Sequence, residues 1–124
     1  MGLFWWIPFG KVPEISADKL NTLRLDSSQP QILDVRTGLE WRTSRIPGAI
    51  HVPITDFSAE LAKLTLDKNR PIITICLSAH RSIPAVRMLR EQGFRNACQL
   101  QGGMRAWWQA KLPVESQDNQ APSA

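Results

Sequence analysis

Four short apolar runs, Gln31 to Val35, Ala49 to Val52, Pro71 to Cys76 and Ala97 to Leu100, alternate with segments that carry helix signals, and nothing else in the chain restricts its fold as strongly. Each run has the length and β-branched content of a buried strand, most clearly in Ile72, Ile73 and Thr74. Between them, Ser16 precedes ADKLNTLR, Thr37 and Glu40 have capping-box spacing, and Asp56 precedes SAELAKL. Ser82 to Gln92 continues the series: Ile83, Val86 and Leu89 fall at helical spacing, Pro84 lies in the first turn, and Gly93 is the stop. Strands alternating with helices predict βαβ units and a mainly parallel sheet. Chemistry in such sheets gathers at the carboxyl ends of the strands. That rule selects Asp34 to Arg36 and Cys76 to Ser82.

The 124 residues amount to one domain, so any site must stand on one core. We read residues 1–11 as an apolar arm, 12–113 as the folded domain and 114–124 as a flexible polar tail, because the last stretch is too small and polar to offset its ordering entropy. A hydrophobic content of 43% is ordinary for a globular chain, and no run approaches the ~20 apolar residues of a membrane span. The net charge of +4 comes from scattered basic residues, which gives no support for nucleic-acid binding. Two cysteines without metal-ligand spacing argue against a disulfide scaffold and against a zinc site, so a reducing cytoplasm and no metal or other cofactor are expected. The stretch Leu3 to Phe9 lacks the basic flank and cleavage site of a signal peptide, and Trp6 spoils a myristoylation pattern.

Cys76 ends the most hydrophobic run, and Arg81 and Ser82 open a helix five and six residues later, so Leu77, Ser78, Ala79 and His80 must wrap around the sulfur. A thiol facing a helix N-terminus is shifted toward thiolate, the nucleophilic form, with an anion cradle beside it. The bland alternative is a small apolar strand residue. Arg81 offers positive charge to a donor or steadies the loop, and Ser82 either donates to the sulfur or caps the helix. His80 at the loop tip is expected to be solvated. Asp34 accepts loop N–H bonds and Arg36 faces the pocket, or the two form a structural ion pair. Cys98 is expected to be buried and inert, His51 to pack at the core or rim, and the adjacent Trp107 and Trp108 to divide between sheet and surface.

The segment CLSAHRS resembles the active-site loop of rhodanese-like sulfurtransferases. ILDVRTGLEW, SRIPGAIHVP and MLREQGFRNACQLQGGMRAW resemble further segments of that family in the expected order, over about residues 15–113. The resemblance implies a three-layer α/β fold with a five-stranded, mainly parallel sheet flanked by helices. It also implies that Cys76 takes a sulfane sulfur from an anionic donor such as thiosulfate and passes it to a thiophilic acceptor, cyanide or a thiol, while Leu77, Ser78, Ala79, His80, Arg81 and Ser82 bind substrate and Asp34 and Arg36 support them. Family loops often carry glycine where Ala79 stands, so if that position needs φ > 0, alanine there forces strain or a shifted loop. Arg45 replaces a histidine common before Ile-Pro-Gly-Ala, at a position that reads as structural.

Two other classes compete. Cysteine-dependent phosphatases and arsenate reductases use the same thiolate logic, but theirs is a wider loop with five residues between cysteine and arginine, whereas Leu77 to His80 make four, a ring suited to one sulfur atom. A sulfur-relay or protein-binding module with little turnover is the other, since the aromatic arm from Leu3 to Phe9 either folds back on its own sheet or offers a protein partner an apolar patch.

Overall fold

The computed structural model describes residues 11–117. Its strands are β1 (Glu14–Ile15), β2 (Gln31–Asp34), β3 (Ile50–His51), β4 (Ile72–Ile75) and β5 (Ala97–Leu100), and its helices are α1 (Ala17–Leu25), α2 (Gly38–Thr43), α3 (Phe57–Ala62), α4 (Ser82–Glu91) and α5 (Gly103–Gln109). The strands form one sheet in the order β1-β5-β4-β2-β3, and every pairing between them is parallel.

Alternation along the central strands divides the core in two. Leu33, Ile72 and Cys76 pack with Phe57 and Leu61 of α3 and with Val86 and Leu89 of α4 on one face. Ile32, Ile73 and Ile75 pack with Leu20 of α1 and with Met104 and Trp107 of α5 on the other. Burying each such aliphatic side chain contributes about 1.5–3 kcal/mol, which is why both faces of β2 and β4 read as apolar in the sequence. The sheet is thus the middle of three layers. Helix α2 buries none of its residues and lies at the rim.

Local signals act as expected at most boundaries. The Ser16 side chain accepts from the Lys19 amide (3.2 Å), and Thr37 and Glu40 close a reciprocal capping box. Gly93, at φ +98°, ends α4 with paired bonds from the Gly93 and Phe94 amides to the Arg90 and Leu89 carbonyls (3.1 and 3.0 Å). Three expectations need correction. Asp56 makes no side-chain cap, because the chain enters α3 through a 3-10 turn over Ile54–Asp56. Strand β1 has two residues, too few to show alternation, and was not among the sequence candidates. Residues 114–117, placed in the flexible tail, continue the fold: Arg45 and Glu115 form an antiparallel bridge, and the Gln117 amide donates to the Arg42 carbonyl (2.8 Å). The arm from Leu3 to Phe9 and the end of the chain from residue 118 lie outside the described residues.

Candidate active site

Strand β4 stops at Ile75, and Cys76 follows it with 1% of its surface exposed. The carbonyls of Cys76 and Leu77 are held from behind by α5: the Met104 amide donates to Cys76 (2.8 Å) and the Arg105 amide to Leu77 (3.1 Å). A trans peptide points its N–H opposite to its C=O, and the described chain has no cis bond, so tying these two carbonyls to α5 turns the Leu77 and Ser78 amides away from it. Gly102 and Gly103, at φ +74° and +59°, allow this approach. A Cβ built on Gly103 would lie 2.6 Å from the Leu77 carbonyl carbon and oxygen and would also strike the Cys76 oxygen.

Ala79 adopts φ +81°, the left-handed conformation expected if this position suits glycine. The strain is worth about 1–2 kcal/mol, partly offset by the ordering entropy glycine would lose. Ala79→Gly should therefore raise Tm by roughly 4 °C, and an unchanged melt would show that the loop holds alanine without strain.

Arg81 does not stand as a free cation. Its Nη1 and Nη2 donate to Glu40 Oε1 and Oε2 of α2 (2.6 and 2.9 Å), so rim helix and loop are latched together. The Arg81 bond is the chief cause that holds the Glu40 carboxyl down at about 2, with the Thr37 amide and hydroxyl assisting against burial. The same bond raises the Arg81 guanidinium further. A carboxyl lowered on folding stabilises above its ordinary value of 4.5, and the contribution disappears as pH falls toward about 2. Melts of wild type and Glu40→Gln should accordingly differ at neutral pH and converge across that interval, whereas a pH-independent difference would mean that the latch carries none of the effect.

Asp34 serves its neighbour rather than the loop, a correction to the first of the two roles weighed for it. It is fully buried and accepts from the Arg36 amide (3.0 Å), Nε (3.0 Å) and Nη2 (2.8 Å), and Arg36 Nη2 also donates to the Ser44 carbonyl (2.6 Å). Arg36 does line two cavities beside the loop, but with its charge already paired. Ser82 begins α4 without capping it, and its buried Oγ has no hydrogen-bond partner among the described residues. Ser78 Oγ and His80 Nδ1, both at the exposed loop tip, are 3.2 Å apart.

Of the remaining candidates, His51 stacks on Trp41 with ring centroids 5.1 Å apart and donates from Nε2 to the Arg36 carbonyl (2.7 Å). Arg45 covers the same indole at 4.4 Å and pairs with Glu115, a structural role. Trp107 is fully buried and Trp108 exposed. Cys98 pairs with Ile73 across the sheet, so Cys76 lies three residues, about 10 Å, farther along, beyond the ~7 Å reach of a disulfide. Cys98 is only partly buried, a correction to the expected full burial, because it lies on a strand whose outer face α1 and α5 cover incompletely; that desolvation still pushes its thiol up to about 11. The sequence shows Glu40 only as a cap; that it also holds Arg81, 41 positions away, has no local signal. Among the described residues no cluster of potential ligands could hold a metal ion, and no helix is long and apolar enough to cross a membrane.

Fold and site together define an α/β domain organised around one cysteine loop at the carboxyl edge of a parallel sheet. The chain belongs to the rhodanese-like domain family, whose model matches residues 16–110, and several of its relatives are named as sulfurtransferases. It is 36% identical over 97 residues to the putative sulfur carrier protein YrkF of Bacillus subtilis, covering 77% of this chain but only 51% of YrkF. To the putative sulfurtransferase YtwF of the same organism it is 33% identical over 97 residues, covering 78% of this chain and 91% of that protein. A rhodanese-like domain protein from Staphylococcus aureus superposes with a TM-score of 0.70 at 32% identity, covering 77% and 91% of the two chains.

Proposed function

We propose that this protein transfers a sulfane sulfur through a persulfide on Cys76, from a donor of which thiosulfate is the simplest anionic case, to cyanide or a thiol. The observation that carries this reading is the loop itself, a cysteine at the end of β4 under a turn whose carbonyls are drawn off to α5. In the transfer the Cys76 thiolate attacks the outer sulfur of the donor, the donor's S–S bond breaks, and sulfite leaves with the bonding pair. The loop amides from Leu77 to Arg81 hold the charge on the added sulfur. The buried, unpartnered Ser82 hydroxyl supplies one more donor. Arg81 keeps the loop in shape through Glu40, and Asp34 holds Arg36 beneath the rim. Two free cysteines suit a reducing, cytoplasmic setting.

Intact mass after incubation with excess thiosulfate tests the reading. One sulfur atom should be added, be removed by cyanide or a thiol, and be missing in Cys76→Ser. Hydrolysis of p-nitrophenyl phosphate without any sulfur adduct would replace it with phosphatase chemistry.

A further inference from the structure

Beside the loop lies a cavity of about 260 Å³ between α2 and the residue that follows Cys76, walled by Leu39, Thr43, Ser44, Leu77 and Trp108 with Arg36 and Glu40 at its polar end. Leu39 is 69% exposed and Trp108 40%, large apolar surfaces in an unusual place for a loop thought to bind small anions. The polar groups around this cavity are already committed to one another. Thr43 Oγ1 donates to the Leu39 carbonyl (2.8 Å), Trp108 Nε1 donates to Ser44 Oγ (3.0 Å), Arg36 is held by Asp34 and the Ser44 carbonyl, and Glu40 is held by Arg81. Both arginines at the site are therefore neutralised by a carboxylate, and among the described residues a charged ligand finds no unpaired cation in the wall. What remains on offer is the apolar surface of Leu39, Leu77 and Trp108.

Resting on the sulfur-transfer reading above, we infer that the acceptor this site favours is a small organic thiol with an uncharged, apolar substituent, which lodges in this cavity while its sulfur meets the Cys76 persulfide. The volume suits a single ring or short aliphatic group and is below that of a drug-sized site. In the step itself the acceptor ionises and gives its proton to solvent. Its thiolate attacks the outer sulfur of the Cys76 persulfide, the S–S bond breaks, and the bonding pair returns to Cys76 Sγ as thiolate. The product is the organic hydropersulfide, and no external oxidant or reductant is consumed.

The full-length protein, loaded with thiosulfate and freed of excess donor, would be discharged by benzyl mercaptan or by mercaptoethanesulfonate, thiols of similar basicity that differ in the charge and polarity of their substituents. Discharge should be about tenfold faster with benzyl mercaptan. Leu39→Lys, at an exposed position where folding is not at stake, should slow benzyl mercaptan and speed the sulfonate, so that the ratio between them falls about tenfold or more. Equal rates with the two thiols, or a ratio that Leu39→Lys leaves in place, would overturn the inference while sparing the transfer chemistry. Failure of thiosulfate or any other sulfane donor to load Cys76 would overturn both.

Discussion

Replacing Cys76 with serine should abolish sulfur loading and turnover, while Cys98→Ser should change the rate less than about twofold. A serine hydroxyl has nearly the shape of the thiol but remains un-ionised at neutral pH, so it provides neither the nucleophile nor the polarisable atom on which the sulfur rides. Cys76 packs among Leu33, Ile72 and Val86, and a serine hydroxyl turned toward them and away from the loop donors costs about 1–3 kcal/mol. Cys76→Ala avoids that cost, and melts of both variants alongside their kinetics separate lost chemistry from lost fold. Cys98 packs with the cluster on the opposite face of the sheet. Full activity in either Cys76 variant would remove the mechanism, and a well-folded but inactive Cys98→Ser would make Cys98 a participant in spite of the register that holds it away.

Gly103→Ala should be nearly as damaging, though the residue carries no functional group. The added methyl meets backbone atoms of Cys76 and Leu77, which have no rotamer by which to escape, and φ +59° is itself unfavourable for alanine. The start of α5 must withdraw, and the Met104 and Arg105 bonds that set the loop go with it. We expect a stability loss of about 3 kcal/mol and sulfur loading slowed about a hundredfold, as a reacting group displaced by an ångström commonly shows. Denaturant melts and loading rates measure the two effects. An alanine variant with unchanged loading would mean that α5 does not shape the loop.

Local chemistry explains what could be seen in the sequence. Ser16, the Thr37 and Glu40 pair and Gly93 act within one turn of their own helix, and the runs at β2 and β4 are apolar because both faces are covered, so each is legible in a window of a few residues. Cys76 and its loop were visible for the same reason, whereas a left-handed backbone at Ala79 was raised only by the resemblance to loops that carry glycine there. What escaped was set by partners distant in sequence. Strand β1 exists because β5 passes beside it, and Val114 to Gln117 are ordered because Arg45 lies opposite Glu115. Of the two roles open to Arg81, charge for a donor or support of the loop, the sequence could not choose, because nothing near it in the chain shows that Glu40 already occupies it.

The bonds from Met104 and Arg105 to the loop also fix an order of events during synthesis. Ribosomes add roughly 5–20 residues per second, so Cys76 is made on the order of seconds before the amides that draw its carbonyl and that of Leu77 into place. Strands β2, β3 and β4 can already have paired, yet the nascent thiol has no shaped loop around it. The loop therefore takes its shape only once α5 has emerged and docked. A ribosome-bound intermediate that stops short of α5 would carry Cys76 without the bonds that draw its carbonyl and that of Leu77 into place.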